Sequence, residues 1–175
     1  KTVSHGRRLL VNVRPWKGDL PDRTAAAASR LAAEAGLPLT AVALAREDLR
    51  LMEDQAARGI FSPGEMVLLE PGNWRERTAD LFVDSAGAVS MRYHFALLCL
   101  ISGTPLSLSA YDPKVKAFGE EWGIPCWYGK GDMPFPAASA EEGGVRLRAG
   151  LFLEEFRRTW NDVRSFVHRK GRSLS

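Results

Sequence analysis

Val89-Ser90-Met91-Arg92-Tyr93-His94-Phe95-Ala96-Leu97-Leu98-Cys99 passes from a short apolar strand through an arginine and a histidine into an apolar helix. Its charged residues therefore fall at the carboxyl end of a strand. In an open α/β sheet that edge is where ligands bind, and the first amides of the following helix add positive partial charge there. The stretch thus predicts an anionic ligand at a sheet rim.

The chain on either side supplies the sheet. Arg8-Leu9-Leu10-Val11-Asn12-Val13 reads as a strand buried on both faces, with Arg14 at its carboxyl end. The polar loop Pro15 to Pro21 leads to Asp22, an N-cap candidate, and an alanine-rich helix from Arg23 to Ala35 closed by Gly36. Leu39 to Leu44 predicts a second strand, and Glu47 to Arg58 a second helix with Leu49, Met52 and Ala56 along one side. Met66 to Leu69 predicts a third strand, and Asn73 caps a helix reaching Asp84 with Leu81 and Phe82 inward. The opening stretch is strand and helix four.

Thr104 to Ser109 predicts strand five, and Asp112-Pro113 starts a helix carrying Val115, Phe118 and Trp122 at helical spacing. Pro125 to Tyr128 predicts a sixth strand. Strands alternating with helices require parallel pairing, so the fold class is α/β, a doubly wound, mostly parallel six-stranded Rossmann-like sheet. Residues 129–144, with three glycines and a Met-Pro-Phe-Pro run, read as a flexible loop. Leu147, Leu151, Phe152, Phe156, Trp160, Val163 and Val167 then mark one face of a long C-terminal helix.

A chain of 175 residues, 45% hydrophobic and 26% charged, has the makeup of a single globular domain spanning residues 1–175. No apolar run reaches the roughly 18 to 20 residues a membrane span requires. The net charge of +3 is concentrated in Arg7-Arg8 and in His168-Arg169-Lys170-Gly171-Arg172, which argues against a nucleic-acid partner. That basic tail reads as a frayed helix end, with peripheral contact to an anionic membrane face as the alternative. Cys99 and Cys126 lack metal-ligand spacing and read as buried free thiols in a reducing compartment. Lys1 to Gly6 is polar and resembles no signal peptide, so a cytoplasmic location is expected. The chain opens almost directly on a strand, as would a domain cut from a longer protein.

In this topology the strand ends gather Arg14, then Arg92 and His94, then Tyr111, Asp112 and Lys114, with Glu70 on the same edge. Arginine's planar fork suits phosphate and carboxylate, and histidine exchanges a proton near neutrality. Each residue also has a structural reading. His94 suits a helix start, Arg92 an ion pair with Asp84 or Glu70, Arg14 a stack on Trp16, and Asp112-Pro113-Lys114 a plain N-cap. No His, Cys or carboxylate cluster suggests a metal.

Val11-Asn12-Val13-Arg14-Pro15-Trp16, Met91-Arg92-Tyr93-His94-Phe95-Ala96 and Tyr111-Asp112-Pro113-Lys114-Val115, in this order and separated by βα units, resemble the polysaccharide pyruvyl transferase family. The resemblance runs from about Arg8 to Trp127. It implies the carboxyl-terminal half of a two-domain GT-B architecture whose N-terminal domain lies outside this chain. It further implies transfer of the three-carbon unit of phosphoenolpyruvate, as a ketal, to a sugar of a cell-wall or exopolysaccharide precursor. N-acetylmannosamine is a common acceptor in that family, carried on a lipid or nucleotide. On this resemblance Arg14 and Arg92 hold the donor, His94 stands near the enol ether carbon, and Tyr93 replaces the usual leucine. Phosphoenolpyruvate is then a donor substrate, and no cofactor is expected. Tyr111, Asp112 and Lys114 are assigned to substrate binding. Two rival readings use the same rim: a nucleotide-sugar-dependent GT-B glycosyltransferase domain, and a non-catalytic module binding phosphate or a nucleotide-sugar.

Overall fold

The computed structural model describes residues 8–70, 73–83 and 85–137. The expected long C-terminal helix and residues 138–144 of the expected loop lie outside them. The elements in chain order are β1 (Arg8–Asn12), α1 (Leu20–Glu34), β2 (Leu39–Ala43), α2 (Arg46–Ala57), β3 (Glu65–Leu68) and α3 (Trp74–Val83). Then follow β4 (Ser85–Ser90), α4 (Tyr93–Ser102), β5 (Leu106–Ser109), α5 (Pro113–Trp122) and β6 (Cys126–Trp127).

All six strands join one sheet in the order β3-β2-β1-β4-β5-β6. Every adjacent pair is parallel. This is the doubly wound sheet that the alternating pattern predicts, and its order reverses between β1 and β4. Such a reversal leaves a crevice above the carboxyl ends of the two strands.

The strands are buried because helices cover both faces. Leu9, Leu10 and Val11 are inaccessible to solvent, as are Ala41, Val42 and Ala43 in β2. One apolar core joins Leu10, Val42 and Leu108 to Phe82, Phe95 and Phe118 of α3, α4 and α5. A second, on the opposite face, joins Leu9, Val11 and Val89 to the alanines of α1 and to Met52 of α2. Alanines at the α1 contact let that helix approach the sheet closely.

Three local expectations are corrected. First, α1 begins at Leu20 and Asp19 occupies its N-cap position, so Asp22 lies inside the helix. Asp22 accepts hydrogen bonds from Gln55 Nε2 (2.9 Å) and Arg58 Nη1 (2.9 Å), which uses its carboxylate between helices instead of at a cap. Second, α2 does turn Leu49, Met52 and Ala56 to one core, but its inward side is not purely apolar, because the polar Asp48 and Gln55 are fully buried beside Met52. Two polar residues are tolerated inward because each finds a polar partner. Third, the Asn73 side chain turns away from α3: its Oδ1 accepts from the Glu70 amide and its Nδ2 donates to the Leu68 carbonyl. The predicted cap of α5 is present, with Asp112 Oδ1 accepting from the Val115 amide at 2.9 Å.

After β6, residues 129–137 run back along the sheet. Trp127 Nε1 donates to the Gly131 carbonyl, Ser107 Oγ to the Pro134 carbonyl, and the Leu106 amide to the Ala137 carbonyl. Met133 joins the core on the α1 face. A Cβ at Gly87 would lie 2.6 Å from the Pro136 side chain, so the strap lies directly on β4 backbone.

Candidate functional site

The rim is organised by Asn12, the one polar residue in the buried part of β1. Its side chain is fully buried, donating to the Val42 carbonyl at 2.8 Å and accepting from the Arg92 amide at 3.2 Å. One amide group therefore ties β1 to β2 and to the turn between β4 and α4. Sequence reading passed over this residue, although a polar side chain in an otherwise apolar buried strand must find partners.

Arg92 and Arg14 leave the rim in opposite directions. Arg92, at the end of β4, reaches across β1 to the start of α2. Its Nη2 lies 2.6 Å from Asp48 Oδ1 and 3.1 Å from Glu47 Oε1, and its Nε lies 2.6 Å from Asp48 Oδ2. The Asp48 side chain is fully buried and that of Arg92 is 18% exposed. Burial opposes the Arg92 charge, but Asp48 and then Glu47 more than offset it and raise the pKa. The ion pair anticipated for Arg92 exists with other partners. Glu70 instead accepts from Arg46 at 2.9 Å, and Asp84 lies outside the described residues. No sequence signal marks Asp48, because a carboxylate in the first turn of a helix ordinarily faces water.

Arg14, at the end of β1, crosses the other way and donates from Nη1 to the Tyr111 hydroxyl at 2.9 Å. Since β4 lies between β1 and β5, the two side chains together bridge two strand spacings, about 10 Å, over the carboxyl end of β4. The guanidinium also stacks on the rings of Trp16 and Tyr111, with centroids at 5.6 and 5.3 Å. The expected Arg14 and Trp16 stack is thus present. Arg14 Nε is buried and has no hydrogen-bond partner among the described residues. Burial pushes the Tyr111 phenol up, against the opposing effect of the Arg14 charge.

A third group forms at the start of α4. Lys114 Nζ sits 4.6 Å from the centroid of the Tyr93 ring, and His94 meets the same ring edge-on at 5.6 Å. Tyr93 is itself packed edge-on against Phe118 at 5.0 Å, which fixes it between the two. His94 is solvent-exposed. Arg92 occupies the N-cap position of α4 with extended backbone and makes no side-chain capping bond, whereas α5 has the Asp112 carboxylate at its own start. An anion therefore finds open amides at α4 and an occupied end at α5.

The structure thus brings His94 and Lys114 together around Tyr93, places Arg14 on Tyr111 above the end of β4, binds Asp112 into a cap, and neutralises Arg92. Two cavities, of about 300 and 230 Å³, lie elsewhere, the first at the amino edge beside Arg8 and Glu65, the second beside α1 and Asp132. Among the described residues no group of three His, Cys, Asp or Glu side chains is placed to hold a metal ion. No helix among them is long and apolar enough to cross a membrane.

Comparison with solved structures finds a glycosyltransferase involved in avilamycin A biosynthesis, with a TM-score of 0.51 and 17% identity over 90% of this chain. The likeness is one of fold, a parallel α/β Rossmann-like sheet with helices on both faces. The chain spans about half the length of that neighbour, 52%. The GtfA/B complex aligns with a TM-score of 0.43 at 12% identity, over 87% of this chain and 29% of the other. The pneumococcal O-GlcNAc transferase GtfA, solved with UDP and GlcNAc, gives 0.39 at 12% identity, over 83% and 28%. These last two align too loosely to inform the rim. No protein-family model matches the chain, and no curated protein sequence matches it.

Proposed function

We propose that this chain is the donor-binding half of a GT-B-type transferase that moves the pyruvyl unit of phosphoenolpyruvate onto two hydroxyls of a glycan precursor. The observation that carries this reading is the pairing of His94 with Lys114 around Tyr93, at an uncapped helix start that follows β4, over whose end Arg14 reaches. Phosphoenolpyruvate is small and bears both a phosphate and a carboxylate. Lys114, the Arg14 charge and the first amides of α4 supply a cationic cradle of matching chemistry.

His94 is the group suited to deliver a proton to the methylene carbon, turning it into a methyl group while positive charge develops on the neighbouring carbon. One sugar hydroxyl forms a C–O bond to that carbon. The second displaces inorganic phosphate as the C–O bond to the phosphoryl group breaks. Of the two protons released from the hydroxyls, one restores His94 and the other leaves on phosphate. Arg92 takes a positioning role here, because a guanidinium shared by two carboxylates brings no surplus positive charge to a donor.

Direct binding tests the reading. Calorimetric titration of the chain with phosphoenolpyruvate and with uridine diphosphate should show phosphoenolpyruvate binding that Arg14→Ala and Lys114→Ala each weaken about tenfold, or about 1.4 kcal/mol. His94→Ala, in a protein carrying both halves, should lower ketal formation by about two to four orders of magnitude with donor binding retained. A second reading, a nucleotide-sugar glycosyltransferase, is favoured by the likeness of the fold to the avilamycin enzyme. Binding of uridine diphosphate without phosphoenolpyruvate would select it.

A further inference from the structure

We propose that Trp16, braced by Tyr111 and Arg14, is a stacking platform for a pyranose ring of the acceptor glycan. This rests on the reading of the rim as a transferase site. Trp16 is 37% exposed, on the loop that leaves β1 only two residues after Arg14. An exposed tryptophan on a polar loop would ordinarily sample several rotamers. Here its ring lies 4.5 Å from Tyr111 and 5.6 Å from the Arg14 guanidinium, and Arg14 is in turn held by the Tyr111 hydroxyl. The ring is fixed in advance, which lowers the ordering cost of any ligand that stacks on it.

The geometry selects the class of ligand. Trp16 and Tyr111 are tilted by 56°, forming an open corner and not the parallel slot that a flat nucleobase fills. A puckered pyranose presents one face of polarised C–H bonds to such a ring and keeps its hydroxyls free at the edge. Lys17 and Asp19, both exposed on the same loop, offer a donor and an acceptor for those hydroxyls. The donor itself has no ring to stack, and the cations suited to it lie on the Tyr93 side. Arg14 reaches from Trp16 over the end of β4 to Tyr111, so an acceptor ring on Trp16 would bring its hydroxyls toward the start of α4, where His94 stands.

Nitrogen-15 spectra of the chain test this through the Trp16 indole N–H resonance, assigned by its loss in Trp16→Phe. Titration with the methyl glycoside of N-acetylmannosamine should move that resonance saturably in the millimolar range. Trp16→Ala and Trp16→Leu, the second keeping apolar bulk, should weaken the glycoside about tenfold while phosphoenolpyruvate affinity falls by less than it does in Arg14→Ala. Glycoside binding unchanged in Trp16→Leu, no response of the resonance to glycoside, or a response to uridine diphosphate alone would each overturn the platform. Loss of phosphoenolpyruvate binding with the glycoside response intact would instead remove the donor assignment and leave the platform standing.

Discussion

The Arg92 and Asp48 pair holds more of the rim than any single residue named for chemistry. Removing one partner from a buried pair strands a charge, so Arg92→Ala should cost about 3 to 5 kcal/mol in urea unfolding, and Asp48→Ala a similar amount. The double variant should lose clearly less than the sum of the two. Asp22 behaves differently because it is partly open to solvent. The hydrogen bond from Arg58 holds its carboxyl below the ordinary value of 3.8, against the smaller opposing effect of burial and with further help from Gln55. Its contribution is therefore present above that value and disappears as pH falls through the lower folded one. Asp22→Asn should accordingly melt earlier than wild type at neutral pH, and the gap should close in acid, as thermal scans across pH would show. At this scale the sequence revealed the rim residues themselves, since Arg14, His94, Tyr111 and Lys114 all follow strand ends. It did not reveal which charges were already spent. The ion pair of Arg92 is readable but its partner is not, because Asp48 sits 44 residues away on a helix whose inward face reads as apolar.

Helix ends and close backbone contacts make separate predictions. Asp112→Ala removes the only side-chain cap seen on α5 and should cost about 1 kcal/mol, with faster amide exchange confined to the first turn of that helix. Lys114 rides on that turn, so any phosphoenolpyruvate affinity that rests on it should fall in the same variant. Gly87→Ala pushes a methyl group against Pro136 and should cost about 1 to 3 kcal/mol while exposing residues 129–137 to limited proteolysis. An unchanged digestion pattern would show that the strap absorbs the methyl group. Element type and order were readable because hydrophobic runs and turn residues alternate cleanly along β1 to β6. Helix starts were less so: at α1, Pro21 fits the first turn and Asp19 stands before it, yet Asp22 has equal credentials as a cap. Nothing in Gly129 to Ala137 announces that three hydrogen bonds will lay it on the sheet, because its anchors are backbone carbonyls.

Across the whole molecule, two cysteines report on two depths. Burial raises the thiol pKa of both, well above the ordinary value for Cys99 inside α4 and less for Cys126 in β6. Cys126 should react first with a disulfide reagent, while Cys99 should wait for unfolding and then react at the global opening rate. The reversal of strand order between β1 and β4 follows from connection handedness once six strands and their crossovers are granted, which is why the sheet was legible as a doubly wound one. What occupies the crevice at that reversal was not, since it depends on side chains drawn from five elements. Asn12 now takes on a mechanical meaning. Prising β1 from β4 at their upper ends would break its bond from the Arg92 amide, and prising β1 from β2 the one to the Val42 carbonyl, both in a dry interior, so the rim meets a ligand as a stiff anvil.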